Sequence, residues 1–278
     1  MSRESVLFLL KKFGIKPDPM VSQNFLISDT ALNAVIAASD LAPADRVLEI
    51  GAGIGTLTAE LVARCHTVLA VEQDTRFTKL LESLRSVNTN LRVLYRDIIA
   101  VHFEEIAREL DLGIGRSYKV VANIPYHITS RIISRLIAYP MIPERIVLLV
   151  QKEVGERIVA KPGDHSKLSL SVQFYGTPEL LQTVPRSAFY PAPEVDSAIL
   201  RIRGIRPWQY PESEKRVWQL IALGFSAKRK KLVNNLAAGL AGEKSEIASV
   251  LEHCTIPVDS RAQGLSPDDW RSLARALP

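Results

Sequence analysis

The strand-to-helix turn at residues 46–57 constrains the fold more than any other stretch. Arg46-Val47-Leu48-Glu49-Ile50 is a short, mostly apolar run of the kind that forms a buried strand. It runs into Gly51-Ala52-Gly53-Ile54-Gly55, and helical spacing resumes near Leu57. Glycines at such a turn let the backbone approach a ligand, and the helix N-terminus beyond adds partial positive charge. The spacing is G-x-G-x-G, not the G-x-G-x-x-G of dinucleotide binders, which argues against NAD and its pyrophosphate. Thr67 to Val71 reads as the next strand and ends at Glu72. An acid about 20 residues beyond the glycine turn, at a strand end, is placed to accept from both hydroxyls of a ribose. Leu91 to Tyr95 is a third strand, followed by Asp97.

A second organising stretch is Tyr118-Lys119-Val120-Val121-Ala122-Asn123-Ile124-Pro125-Tyr126. Its first half is another buried strand, and Pro125, with no N–H to donate, forbids the ladder from continuing. In open α/β sheets, ligands bind just beyond the carboxyl ends of strands, where Asn123 to Tyr126 would sit. An Asn side-chain carbonyl and a Pro-fixed backbone carbonyl are acceptors that can converge on one NH₂ group. A tyrosine beside them offers a face on which a base can stack. Adenine presents an amine and a π-face together, and holding both N6 hydrogens would favour a pyramidal nitrogen with its lone pair out of the ring plane.

These residues resemble the Asn-[Leu/Ile]-Pro-Tyr motif of the ribosomal RNA adenine N6,N6-dimethyltransferases, S-adenosylmethionine-dependent enzymes with a Rossmann-like fold. The resemblance recurs in the family's order from about Gln23 to Asn235. Ser22-Gln23-Asn24-Phe25-Leu26 is similar to its Gly-Gln-Asn-Phe-Leu, with Ser22 in place of the usual Gly and without the lysines often found just before it. Glu49 and the glycine turn resemble motif I of class I methyltransferases. Phe189-Tyr190-Pro191-Ala192-Pro193, with Val195-Asp196-Ser197-Ala198, is similar to Phe-x-Pro-x-Pro-x-Val-Asp-Ser-Ala. Phe225 to Leu236 resembles Phe-x-x-[Arg/Lys]-[Arg/Lys]-Lys-x-Leu-x-Asn-x-Leu.

By this resemblance S-adenosylmethionine is the cofactor, bound by Asn24, Leu26, Gly51, Glu72, Asp97 and Asn123, with Ile98 beside its adenine. Asn123, Tyr126 and Phe189 are the implied catalytic residues, the two rings covering the target adenine. The implied substrate is two adjacent adenosines in a hairpin near the 3′ end of small-subunit rRNA, within a pre-ribosomal particle. One rival is the macrolide-resistance class acting on large-subunit rRNA, which commonly has Asn-Ser-Ser where this chain has Asp196-Ser197-Ala198. The other is a non-catalytic RNA-binding assembly factor, against which the intact Gly51, Glu72, Asp97, Asn123 and Tyr126 argue.

The remaining chain fits a main α/β domain over 1–205 and a small helical RNA-binding domain over 206–278. Glu4 to Phe13 and Thr30 to Ala38 have helical spacing, the latter capped by Ser28 or Asp29. Ser130 to Ala138 is helical, Arg145 to Val150 is a buried strand, and a helix follows from Val154. Leu168 to Tyr175 alternates apolar and polar residues, which predicts a half-buried strand. Pro185 to Pro193 is a stiff loop leading to a strand over Ile199 to Arg203, and Pro267 at N1 marks a last helix.

A net charge of +5 favours a polyanionic partner. Between Arg201 and Lys231 lie nine basic residues and two acids, and the run Lys228-Arg229-Lys230-Lys231 reads as phosphate contacts in an RNA enzyme. The two cysteines, Cys65 and Cys254, have no paired spacing, which fits a reducing cytoplasm. The five histidines form no ligand-spaced cluster, so no metal is expected. Val6 to Leu10 is too short for a signal core or a membrane span, and a monomer is expected.

Overall fold

The computed structural model describes residues 3–18, 23–125 and 128–277. They divide into two compact units. The first comprises residues 1–155 and 177–205, and the second 156–176 and 206–278. Residues 156–176 therefore group with the C-terminal helices, and a single cut at 205 does not describe the packing.

The first unit is built on a seven-stranded sheet. Its strands are β2 (Arg46–Ile50), β3 (Thr67–Glu72), β4 (Leu91–Tyr95), β5 (Lys119–Asn123), β6 (Arg145–Gln151), β7 (Thr177–Val184) and β9 (Ser197–Arg203), in the order β4-β3-β2-β5-β6-β9-β7. Parallel pairing joins β4 through β6, and β9 runs antiparallel to both β6 and β7. The inner strands read as continuous apolar runs because helices cover both faces, leaving no solvated side to favour alternation. A separate two-stranded ladder pairs β1 (Phe25–Leu26) with β8 (Phe189–Tyr190).

Helices α1 (Arg3–Lys12), α2 (Asp29–Ser39), α3 (Thr56–Val62), α4 (Thr78–Val87), α5 (Phe103–Glu109) and α6 (Thr129–Ala138) belong to the sheet unit. Ser28 caps α2, its Oγ accepting from Ala31 N at 3.2 Å. Helix α7 (Lys152–Ile158) continues directly from β6.

The second unit contains α8 (Lys167–Gln173), α9 (Glu214–Gly224), α10 (Leu232–Leu240), α11 (Lys244–His253) and α12 (Pro267–Ala276). The strand expected over Leu168 to Tyr175 is instead helix α8. Ser166 closes a capping box with Ser169 at its start, and Leu170 and Phe174, one helical turn apart, both enter the unit's core. Leu168 and Val172 are buried as well, so the period-two pattern came from a helix buried on several sides. Helix α12 starts as its sequence predicts, with Pro267 in the first turn and Ser266 boxed with Asp269.

Trp270 of α12 is fully buried against Gly224 of α9, where an added Cβ would stand 2.4 Å from the indole ring and 3.0 Å from Leu232. On an exposed helix Gly→Ala stabilises. Here the ring cannot retreat, so Gly224→Ala should destabilise the helical unit by about 1–3 kcal/mol. Hydrogen exchange of α9 and α12 amides should show the loss, and unchanged or slower exchange would contradict it.

Candidate active site

Strand order reverses between β2 and β5, the position where open α/β sheets bind ligands. Ile50 pairs with Ala122, so Gly51 and Asn123 stand side by side at the carboxyl edge. Gly51 has φ +77°, and a Cβ there would lie 3.4 Å from the Asn123 carbonyl oxygen. The left-handed backbone favours glycine there.

A cavity of about 430 Å³ opens at this edge. Asn24, Leu26, Gly51, Glu72, Asp97 and Asn123, separated by up to 99 positions in the chain, all line it. The structure thus brings together all six residues expected to hold the cofactor. Tyr126 and Ser22 lie outside the described residues. Phe189 does not reach this cavity's wall. It pairs with Leu26, which does line the cavity, and lies buried in the same core cluster, 2 % exposed.

Glu72 ends β3 and is nearly buried. Its Oε2 accepts from Gly53 N and its Oε1 from Asp74 N, each at 2.8 Å. Burial pushes its pKa up, and these amides oppose the rise. The carboxylate therefore fixes the glycine turn and presents its remaining lone pairs to donors such as ribose hydroxyls. Asp97 lies exposed at the rim, its Oδ1 accepting from Ile99 N at 2.8 Å to cap the next turn, and Ile98 beside it is buried in the wall. Asn123 donates from Nδ2 to the Asn24 carbonyl at 3.0 Å. The reversed amide would set two acceptors against each other, so Oδ1 is the end available to an incoming donor.

Besides the buried Glu49, the walls carry Asp18, Glu72, Asp74 and Asp97 against Arg76 and Arg96. That balance suits a cationic ligand and repels a polyphosphate. Glu49 is 1 % exposed, and its Oε2 has no hydrogen-bond partner among the described residues. Burial pushes its pKa up to about 8, with Glu72's charge adding to the rise. It therefore carries a proton at neutral pH, an orphaned polar atom in the wall where a charged ligand group would find a partner. Sequence reading found Glu49 through its place before the glycine turn. Gln23 stands in the motif-like stretch before β1 without a role assigned to it, and the rim residues Asp74 and Arg76 carry no sequence signal.

In the helical unit, Lys228, Arg229, Lys230 and Lys231 are all exposed, and none forms an ion pair among the described residues. Their loop is held from beneath: Asn235 Nδ2 donates to the carbonyls of Gly224 at 2.6 Å and Ala227 at 3.1 Å. Among the described residues no group of His, Cys, Asp or Glu could hold a metal ion, and no helix is long and apolar enough to cross a membrane.

Glu49 makes a prediction about pH. The native state keeps on Glu49 a proton that the unfolded chain, with its ordinary value of 4.5, gives up. Its contribution to stability therefore falls as pH rises from about 4.5 to about 8. Glu49→Gln should flatten that part of the profile, measured by urea unfolding across the range. An unchanged slope would contradict the buried neutral acid.

A family model described as ribosomal RNA adenine dimethylase matches residues 16–277. The chain is 40% identical to a ribosomal RNA small subunit methyltransferase A of Dehalococcoides mccartyi, covering 95% of this chain and 90% of the relative. The protein of that name from Moorella thermoacetica is 37% identical, covering 98% and 96%. Among solved structures, a dimethyladenosine transferase from Plasmodium falciparum superposes with a TM-score of 0.73 at 26% identity, over 90% of this chain and 95% of that one. The 23S rRNA methyltransferase ErmE gives 0.71, also at 26%, over 91% and 99%. The family match spans every residue of the cavity wall, and the chain belongs to the ribosomal RNA adenine dimethylase family.

Proposed function

We propose that this chain dimethylates N6 of two adjacent adenosines in a hairpin near the 3′ end of small-subunit rRNA, acting on a pre-ribosomal particle in the cytoplasm. Membership of the family makes it an S-adenosylmethionine-dependent rRNA adenine dimethyltransferase. The observation that carries the reading is the convergence of Asn24, Leu26, Gly51, Glu72, Asp97 and Asn123 on one acid-lined cavity at the strand-order reversal. The small-subunit target is favoured over the large-subunit one by the names of the relatives at 37 and 40% identity. Val195-Asp196-Ser197-Ala198 supports it further.

S-adenosylmethionine, when bound, supplies an electrophilic methyl group on a sulfonium. Glu72 would accept from its ribose, Asp97 from its adenine amine, and the acid-rich wall would favour its positive charge. The target adenine leaves its stack to reach the site. Asn123 Oδ1 and the Pro125 carbonyl would then accept from its N6 hydrogens, aiming the lone pair at the methyl group. Tyr126 is proposed as the stacking face.

Asn123→Ala removes an acceptor whose value is greatest as N6 becomes pyramidal. The loss should fall on the chemical step, about 10²–10³ in rate at saturating cofactor, with RNA affinity nearly unchanged. Single-turnover methylation of small-subunit particles lacking the modification measures it, and a wild-type rate would make the turn structural only. Neutralising Lys228, Arg229, Lys230 and Lys231 together should weaken RNA binding and flatten its salt dependence, leaving cofactor affinity intact. An unchanged salt slope would reduce the cluster to a solvated face.

A further inference from the structure

Asn123 can present Oδ1 to a substrate only while the Asn24 carbonyl holds its Nδ2, so whatever fixes Asn24 fixes the acceptor. On its C-terminal side Asn24 is anchored by β1, where Phe25 pairs with Tyr190 and Leu26 with Phe189. On its N-terminal side the anchor is a polar clamp around Gln23. Gln23 Nε2 donates to Asp74 Oδ2 at 2.6 Å, and its Oε1 accepts from Asp18 N at 2.9 Å and from an Arg76 terminal nitrogen at 3.3 Å. A reversed amide would set oxygen against carboxylate and NH₂ against two donors, so only one orientation of Gln23 fits. Arg76 spans the same junction, donating from Nε to both Asp74 oxygens at 2.9 and 3.0 Å and from its other terminal nitrogen to the Lys16 carbonyl at 3.0 Å. The guanidinium holds the Asp74 carboxyl below its ordinary value, so the clamp stays charged. Asp74 is fixed in turn, because its N–H donates to Glu72.

We propose that Gln23, gripped by Asp74 and Arg76, is a positioning residue for methyl transfer: it sets the Asn24 carbonyl and thereby aims the Asn123 acceptor. The inference rests on the reading that Asn123 accepts from the target amine. The clamp joins Lys16, Asp18 and Gln23 to Asp74 and Arg76 after β3, more than 50 positions away, and every member except Lys16 lines the cavity. Losing one Gln23 contact leaves β1 paired and the core intact. Asn24 then loses the hold that Gln23 gives its N-terminal side, and the Asn123 amide shifts with its carbonyl.

A double-mutant cycle of Gln23→Ala with Asn123→Ala tests this, read as single-turnover methylation at saturating cofactor, with thermal unfolding as the check on folding. Gln23→Ala should slow the reaction about tenfold in the otherwise native chain and cause no further loss in the Asn123→Ala background. In ¹⁵N-labelled protein alone, Gln23→Ala should also shift the side-chain NH₂ resonances of Asn123. Equal slowing in both backgrounds, or unmoved Asn123 resonances, would overturn the proposal while leaving the role of Asn123 standing. A wild-type rate for Asn123→Ala alone would overturn that role and the positioning proposal with it. If Gln23→Ala fails to fold, Arg76→Gln, at a part-exposed side chain of the same clamp, replaces it in the cycle with the same expected outcomes.

Discussion

Parallel pairing of β2 with β5 aligns Ile50 with Ala122, so the next residue of each strand, Gly51 and Asn123, leaves the sheet beside its neighbour. Gly51 lies in contact with the Asn123 carbonyl, and its φ of +77° is a left-handed backbone that favours glycine. Glu72 enters the same edge from β3 and ties down Gly53. Three strand ends are thereby locked to one another before any ligand arrives, which is what preorganisation of a transfer site requires.

The electrostatics follow from that geometry. Strand ends crowd Glu49 and Glu72 into a buried edge, so each is held with its pKa raised by lost solvation. An acid-lined cavity is costly to keep, since like charges and desolvation both oppose ionisation, and the cost is recovered only by a ligand bearing positive charge. The same wall is poorly suited to a dinucleotide. The exposed basic run Lys228 to Lys231, proposed as an RNA contact, follows a turn held by hydrogen bonds from Asn235 to the Gly224 and Ala227 carbonyls.

The parts legible in the sequence were those whose signal is local. Strands β2, β3, β5 and β6 are apolar runs because both faces are buried, and Gly51, Glu72 and Asn123 follow such runs directly. The alternation of Leu168, Leu170, Val172 and Phe174 points to a strand, but helix α8 buries all four because it is enclosed on several sides. Strand β7 gave no signal, being a sheet-edge strand interrupted by Pro178 and Glu179 with only Val184 fully buried. The Gln23 clamp was hidden for another reason: its partners come from distant segments, and no spacing rule connects residue 23 with residues 74 and 76. Phe189 was visible as a motif residue, but its strand pairing with Leu26 and its burial were not.

The central claim is that the cavity serves methyl transfer to small-subunit rRNA. Incubating the protein with isotopically labelled S-adenosylmethionine and unmodified ribosomal particles, then mapping the labelled nucleotides, tests it most directly. The account predicts N6,N6-dimethyladenosine at two adjacent adenosines near the 3′ end of small-subunit rRNA. Label confined to large-subunit rRNA, or to a base other than adenine, would contradict it.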